Sequence, residues 1–292
     1  MFGGYFNIFD RKGRGWENRD MDKKTILLTG ASQGIGKETA LLFQARGWNV
    51  AATMRQPGKS ALPGIFCPAL DVTEPETIEA AVAATIARFG GIDVLLNNAG
   101  YGAVGPFEAA TREQIVRQYE TNLFGLMAVT RAVLPHFRQR RNGLIINVTS
   151  VAGRTTFPLY TLYNSTKWAV EGFSEALRFE LEPLNIKVKV VEPAGIKTEF
   201  SHSSADILVD PKLTDYEPFI ARVKPWIEQM DKGGHPPREA AEVIYRAASD
   251  NRNKFRYVVG TDGKFLLFLK RLLPDNWVFA FSKMLFVKGA SR

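Results

Sequence analysis

The sequence has one cysteine, three histidines and no long hydrophobic run. A single cysteine cannot form an intramolecular disulfide, so a secreted fold held together by disulfides is excluded and a cytoplasmic location is expected. The apolar run 265–269 stops at Lys270, far short of the roughly 18 residues of a membrane span. His136, His202 and His235 lack the spacing of metal ligands. We therefore expect no metal site.

Positive charge is concentrated at one end of the chain. The formal net charge is +8, and residues 251–292 hold nine basic and two acidic side chains, so this tail alone carries +7. The rest of the chain is nearly neutral, which does not favour nucleic acid as a partner. Contact between the basic tail and a membrane surface stays open.

The length of 292 residues and the 45% hydrophobic content suit one large α/β domain. Apolar β-rich runs alternate with segments of helical period between residues 25 and 191, a pattern typical of a parallel sheet with helices on both faces. The predicted strands are 25–29, 49–53, 65–70, 93–97, 144–149 and 187–192, and the predicted helices include 36–47, 74–90, 111–137 and 160–181. We predict a doubly wound, Rossmann-type parallel sheet of about seven strands, with a C-terminal helical extension on the substrate side.

Residues 23–292 show neither an internal repeat nor a low-complexity linker, so they are predicted to form a single domain after a flexible N-terminal extension, residues 1–22. The proline-containing segment 196–235 is predicted to be a lid over the substrate. Residues 260–292 form a basic and aromatic C-terminal extension. Its apolar residues lie at helical spacing beside lysine and arginine, which fits a cover over a pocket, a subunit contact or a membrane surface. A helix that packs on its own domain and keeps its charges in solvent fits the pattern equally well.

A glycine-rich turn, TGASQGIG at residues 29–36, joins the first predicted strand to the first helix. Glycines at these points permit a tight turn, a close approach of the backbone to a ligand, and close packing of helix on strand. The amides at the helix N-terminus would bind a pyrophosphate. The spacing TGxxxGxG differs from the commoner GxGxxG. The candidate cofactor contacts in this turn are Gly30, Ser32, Gln33, Gly34, Ile35 and Gly36.

The end of the second predicted strand indicates which nicotinamide cofactor is preferred. Sites selective for NAD usually place an acid there to bind the ribose 2′-hydroxyl. This chain has Arg55 at that position, and a guanidinium is suited to a 2′-phosphate. NADP(H) is therefore predicted to be preferred over NAD(H).

Three polar side chains form a candidate catalytic group. Ser150 follows the fifth predicted strand, and Tyr163 and Lys167 lie one helical turn apart, so both project from the same helix face. The lysine charge is expected to lower the pKa of Tyr163 by favouring its phenolate. Tyr163 would then exchange a proton with a carbonyl or alcohol oxygen, while Ser150 holds that oxygen. Ser150 and Tyr163 are thus the predicted substrate contacts.

Together these features resemble the short-chain dehydrogenase/reductase family over about residues 23–200. The resemblance is carried by TGASQGIG, Asp71-Val72, Asn97-Asn98-Ala99-Gly100, Asn122, Ser150 and the YNSTK segment at 163–167. It implies a catalytic tetrad of Asn122, Ser150, Tyr163 and Lys167, in which Asn122 holds a water that connects Lys167 to solvent. The further cofactor contacts that it implies are Asp71, Val72, Asn98, Ala99, Gly100, Tyr163, Lys167, Ile196 and Thr198.

Two other regions bear on the resemblance. The family commonly has Pro-Gly after the sixth strand, whereas this chain has Pro193-Ala194-Gly195. More loosely, the C-terminal sequence is similar to that of members that act on steroids, retinoids and other lipophilic alcohols or ketones. Family members often form dimers or tetramers through two long helices, which implies a homo-oligomer here.

The resulting hypothesis is an NADP(H)-dependent carbonyl reductase or alcohol dehydrogenase. It would transfer a hydride between nicotinamide and a lipophilic secondary alcohol or carbonyl, with Tyr163 as general acid and base. The alternative is a non-catalytic NADP-binding scaffold or sensor that retains the fold. The substrate and the physiological direction are not fixed by the sequence.

Overall fold

The computed structural model describes residues 23–197, 205–284 and 286, so the predicted extension 1–22 lies outside the described residues. The strands are β1 (Thr25–Leu28), β2 (Asn49–Ala52), β3 (Val94–Asn97), β4 (Ala103–Val104), β5 (Gly143–Val148), β6 (Ile186–Pro193), β7 (Asp206–Ile207) and β8 (Arg256–Val259). The helices are α1 (Gly34–Ala45), α2 (Pro57–Ser60), α3 (Pro75–Phe89), α4 (Arg112–Tyr119), α5 (Gly125–Arg140), α6 (Thr161–Leu181), α7 (Glu217–Gly233), α8 (Pro237–Ser249), α9 (Thr261–Leu272) and α10 (Asp275–Lys283).

Six parallel strands form the main sheet in the order β2-β1-β3-β5-β6-β8, and β4 and β7 form a separate parallel pair. The chain passes from β1 outward to β2 and then returns to the other side of β1 with β3. This reversal opens a crevice at the carboxyl ends of β1 and β3, where ligands bind in doubly wound folds. The predicted doubly wound α/β sheet is confirmed.

Helices cover both faces of the sheet, which explains why strands such as β1 and β5 are buried along their whole length. On one face, Phe43 of α1 and Ile244 of α8 belong to the same apolar cluster. On the other face, Ile78 of α3, Val133 of α5 and Leu177 of α6 form the second cluster. The sheet is therefore enclosed between two apolar layers, and its carboxyl edge remains open to a ligand.

The strand count differs slightly from the prediction, with six strands in the main sheet instead of about seven. The predicted strand 65–70 is reduced to two isolated bridges, Ala51 with Phe66 and Met54 with Ala69. Pro68 lies between them, and it has no N–H to continue a ladder along β2. Strand β8 extends the sheet at its other edge and was not predicted.

The predicted helix 111–137 is interrupted. Its first part is α4, which begins with a capping box between Thr111 and Gln114, and its second part is α5. A π-helical turn, Glu120–Phe124, joins them. None of the helices in the described part of the chain is long and apolar enough to cross a membrane.

Candidate active site

The glycine-rich turn after β1 is tightly packed. Gly30 and Gly34 have φ angles of +70° and +55°, in the left-handed region that favours glycine. The Asn98 side-chain amide donates to the carbonyl oxygens of Thr29 and Gly30, at 2.9 and 3.1 Å. A Cβ atom on Gly36 would lie 2.2 Å from the Gly30 carbonyl oxygen. Gly36 is therefore required for packing beneath the turn.

Helix α1 begins at Gly34 with its N-terminus available to a ligand. The side chain of Gln33 makes no capping hydrogen bond, and the first turn contains no acidic residue. The first amides of a helix need partners, and the helix dipole favours an anion there. This end of the site fits the pyrophosphate of a dinucleotide.

A cavity of about 1320 Å³ extends from this turn along the carboxyl edge of the sheet. The predicted cofactor residues that line it are Gly30, Ser32, Gln33, Gly34, Ile35, Arg55, Asp71, Val72, Asn98, Ala99, Gly100, Tyr163, Lys167 and Ile196. Gly36 lies beneath the turn instead of on the cavity wall, and Thr198 lies outside the described residues. One cavity thus joins motifs that are far apart in the sequence.

Ser150, Tyr163 and Lys167 line the same cavity. The Ser150 hydroxyl accepts from the Ala152 amide at 3.0 Å, donates to the Pro193 carbonyl at 3.3 Å, and hydrogen-bonds the Tyr163 side chain. Lys167 Nζ donates to the Val148 carbonyl at 3.0 Å. It lies 5.6 Å from the centroid of the Tyr163 ring. The three predicted side chains are therefore brought together.

Asn122 lies in the π-helical turn and is almost fully buried. Its side-chain amide donates to the Tyr101 carbonyl at 2.8 Å and its oxygen accepts from the Tyr101 amide at 3.0 Å. A Cβ atom on Gly100 would lie 3.1 Å from Asn122 Oδ1 and 3.9 Å from Lys167 Nζ. Asn122 and Lys167 thus approach the same glycine, although Asn122 is not among the residues that line the cavity.

Burial dominates the electrostatics of Tyr163 and Lys167. It raises the pKa of Tyr163 to about 12, and the hydrogen bond with Ser150 only partly offsets this rise. The expectation of a lowered pKa for Tyr163 was therefore wrong in direction. Burial lowers the pKa of Lys167 to about 8, against the attraction of Glu171. At neutral pH the phenol is protonated and the ammonium is close to its titration range.

Two buried carboxyl groups, Glu171 and Glu192, lie in the neighbourhood of Lys167. Glu171, one turn further along α6, and Glu192 of β6 are both buried, and they share the guanidinium of Arg256 at 3.2 and 3.3 Å. Arg154 also contacts Glu192, at 3.5 Å. Burial and the neighbouring Glu171 raise the pKa of Glu192 to about 7. This cluster places charged groups close to Lys167 and was not predicted from the sequence.

Several other residues that line the cavity were also missed by sequence reasoning. Arg117 of α4 forms an ion pair with Asp206 of β7, and Tyr101 lines the cavity beside them. Phe157 and Trp226 stack on each other at a centroid distance of 5.6 Å and form part of its wall. These residues belong to no motif and are brought together only by tertiary structure.

The histidines play other parts in the described structure. His136 accepts from the Ile92 amide at 3.0 Å. His235 lies between Glu239 and Asp262, at 2.8 and 2.7 Å. Among the residues that the structure describes, no group of three or more His, Cys, Asp or Glu could hold a metal ion.

A parallel doubly wound sheet, a glycine turn at its switch point and a Ser-Tyr-Lys group on the same cavity define a nicotinamide-dependent oxidoreductase. The sequence profile described as "short chain dehydrogenase" matches residues 24–207. The chain belongs to this family, the short-chain dehydrogenases/reductases, and the resemblance seen in its motifs is confirmed.

Known proteins are similar to this chain in sequence and in fold. The 3-ketodihydrosphingosine reductase of Bacteroides thetaiotaomicron is 36% identical over 257 residues, which are 88% of this chain and 95% of the relative. A short-chain dehydrogenase structure from Streptomyces avermitilis has a TM-score of 0.75 and 31% identity, and the match covers 92% of this chain and 99% of that one.

Two further solved structures contain nicotinamide cofactors. The 3-ketoacyl-(acyl-carrier-protein) reductase of Brucella melitensis, complexed with NADH, has a TM-score of 0.68 and 25% identity, covering 82% of this chain and 97% of that one. ElxO with NADP bound has a TM-score of 0.67 and 26% identity, covering 81% and 97%. Both phosphorylated and unphosphorylated cofactors therefore occur among proteins of this fold.

Proposed function

We propose that this protein is an NADP(H)-dependent oxidoreductase that interconverts a lipophilic carbonyl compound and its secondary alcohol. The observation that carries the proposal is the convergence of Ser150, Tyr163 and Lys167 on the cavity that begins at the glycine-rich turn. Nicotinamide, when bound, supplies or accepts the hydride. NADPH oxidation with a panel of hydrophobic ketones and aldehydes tests the proposal, and binding of NADPH without turnover of any of them would favour a scaffold or sensor.

In the direction of reduction, Tyr163 donates its proton to the carbonyl oxygen, since its high pKa keeps the phenol protonated. Ser150 donates a hydrogen bond to the same oxygen and stabilises its developing charge. The Lys167 ammonium favours the phenolate that is left on Tyr163. Asn122 fixes the backbone of Tyr101 next to Gly100 and so supports the position of Lys167.

The lipophilic substrate class is supported by the wall of the cavity. Phe157, Trp226, Met230 and Leu266 are among the residues that line it. Aromatic and aliphatic side chains gain free energy by covering apolar ligand surface. The name of the Bacteroides relative, a reductase of 3-ketodihydrosphingosine, is consistent with a keto group on a lipophilic molecule.

Arg55 is proposed to select NADP(H) by binding the 2′-phosphate. It is exposed, follows the end of β2 and lines the cavity. Hydrogen bonds to charged groups contribute roughly 1.5–3 kcal/mol, so Arg55→Ala should raise the KM for NADPH about 10- to 100-fold. The KM for NADH should change little. Steady-state kinetics with both cofactors measures this difference.

The control for Arg55 is Arg46→Ala, which removes an exposed arginine that does not line the cavity. Its cofactor constants should match those of the wild type. If Arg55→Ala raised the KM values for NADPH and NADH by the same factor, Arg55 would not bind the 2′-phosphate selectively.

The pH dependence of ketone reduction should follow the protonation of the Lys167 side chain. The pKa of Tyr163, about 12, keeps its proton in place across the working range, whereas the charge of Lys167 is lost as the pH rises through about 8. We expect kcat/KM to be level below this pH and to fall above it. Glu171→Gln removes a negative charge that favours the ammonium and should move the fall to lower pH.

Glu175→Gln is the matched control for Glu171→Gln. Glu175 also binds Arg256, at 2.7 Å, but it is more than half exposed. Its pH profile should coincide with that of the wild type. Coincident profiles of Glu171→Gln and the wild type would contradict the influence of Glu171 on Lys167.

The homo-oligomer remains a prediction. Trp168 and Phe179 on α6 and Phe124 in the π-helical turn are exposed, so the two long helical segments have apolar side chains available for a subunit contact.

A further inference from the structure

Exposed large apolar side chains are concentrated on the two C-terminal helices. The described residues include fifteen such side chains, and eight of them lie between positions 265 and 284. We call these eight the C-terminal apolar face: Phe265, Phe268, Leu272, Leu273, Trp277, Phe279, Phe281 and Met284. Scattered exposed apolar residues are ordinary, but a contiguous group marks an interaction surface.

The face is ordered along α9. Phe265, Phe268 and Leu272 have the spacing i, i+3, i+7, which places them on one side of the helix. Phe265 and Phe268 are 62% and 58% exposed, whereas Gly263 and Leu267 on the same helix are buried. Helix α9 thus has apolar residues on its buried side and a second apolar row on its exposed side.

Helix α10 continues the pattern. Trp277, Phe281 and Met284 have the spacing i, i+4, i+7, and Trp277 is 68% exposed. No residue of α10 is buried in the described structure. This helix therefore gains little from packing on its own domain, and its apolar side chains are presented outward.

The charges on these helices are predominantly positive. The two acids are already paired, Asp262 with His235 at 2.7 Å and Asp275 with Lys270. Lys264, Arg271 and Lys283 are exposed and leave a positive excess beside the apolar face. Bulky apolar groups with basic neighbours are typical of helices that lie in a membrane interface.

The same charges disfavour a second copy of the chain as the occupant. A two-fold contact places the same patch on both subunits, so the excess of positive charge would face itself. A surface of negative charge with an apolar interior meets both features. Anionic lipid headgroups attract lysine and arginine side chains that lie near the membrane surface.

We propose that the C-terminal apolar face docks on membranes that contain anionic phospholipids. The face lies close to the cavity, because Leu266 of α9 lines it and Phe286 packs on the cavity residue Trp226 at 4.9 Å. A lipophilic substrate dissolved in the bilayer would be near the cavity. Only this last consequence rests on the proposed function, since docking requires neither substrate nor cofactor.

Co-sedimentation of the full-length protein with vesicles tests the proposal. We expect binding to vesicles of phosphatidylcholine mixed with phosphatidylglycerol, weak binding to phosphatidylcholine alone, and a decrease as salt is raised. The Phe265→Ser, Phe268→Ser variant loses two aromatic side chains that would be buried in the bilayer, so it should bind at least about tenfold more weakly. Lys264→Glu with Arg271→Glu should also weaken it.

Phe107→Ser is the matched control, because Phe107 is 54% exposed but lies in the turn Phe107–Ala109, away from α9 and α10 in the sequence. It should bind vesicles like the wild type, and thermal melts should show that all variants fold. Absence of binding to anionic vesicles at low salt would overturn the proposal, as would equal binding by the Phe265→Ser, Phe268→Ser variant. If a chain trimmed to Met21 bound vesicles and the full-length protein did not, the N-terminal segment would cover the face in the intact protein. That result would also overturn the proposal.

Light scattering separates docking from self-association. If the wild type is a dimer that does not bind vesicles and the Phe265→Ser, Phe268→Ser variant is a monomer, the face is a subunit contact and the proposal fails. Ketone reductase activity is not read in any of these experiments. Their outcome is therefore independent of whether the proposed reaction is correct.

Discussion

Tyr163→Phe should lower kcat/KM for ketone reduction by about 10²- to 10⁴-fold, the usual contribution of a positioned general acid. The substitution removes the hydroxyl that hydrogen-bonds Ser150 and leaves the ring near Lys167. NADPH binding should be almost unchanged, because the glycine-rich turn and Arg55 are untouched. Single-turnover kinetics and a fluorescence titration with NADPH measure the two quantities separately.

The control for this loss is Tyr119→Phe. The Tyr119 hydroxyl donates to Ser165 at 2.8 Å and does not line the cavity. The Tyr119→Phe substitution removes a tyrosine hydroxyl from the same region without changing Ser150, Tyr163 or Lys167. The activity of this variant should remain close to that of the wild type. Equal rates for Tyr163→Phe and the wild type would remove Tyr163 from the mechanism.

Gly36→Ala should both destabilise the protein and abolish tight NADPH binding. The new Cβ would lie 2.2 Å from the Gly30 carbonyl oxygen and 2.7 Å from Asn98 Nδ2, so the turn must shift. Overpacking of this kind costs about 1–3 kcal/mol of the free energy of unfolding, and a displaced turn no longer presents the α1 amides to a pyrophosphate. Thermal melts and NADPH titration report the two effects.

Gly172→Ala is the matched control. Gly172 lies within α6, and a Cβ added there would meet nothing within 4 Å. Alanine is a better helix former than glycine by about 1 kcal/mol, so this variant should be neutral or more stable. An unchanged melting temperature and wild-type NADPH affinity in Gly36→Ala would show that the tight turn does not form the cofactor site.

Much of the site could be predicted because its signals are local in sequence. The glycines at 30, 34 and 36 determine the turn, and the spacing of Tyr163 and Lys167 places both on one helix face. The fold followed from the alternation of buried strands and amphipathic helices. Each of these depends on residues within a few positions of one another.

The features that could not be predicted depend on tertiary structure. The pairing of Arg117 with Asp206 spans 89 positions, and no pattern links the two residues. The direction of the pKa shift of Tyr163 depends on burial, which only the packed cavity defines. The loss of strand 65–70 depends on the place of Pro68 beside β2, where a missing N–H interrupts pairing.

Direct hydride transfer between NADP(H) and a lipophilic carbonyl in the cavity is the central claim of the proposed function. The most direct measurement is reduction of a hydrophobic ketone with NADPH deuterated at C4 of the nicotinamide, followed by mass spectrometry of the alcohol. We predict that deuterium appears on the carbinol carbon with the wild type and is nearly absent with Tyr163→Phe. Alcohol formed without deuterium from either C4 position, or no alcohol from any ketone tested, would contradict the claim.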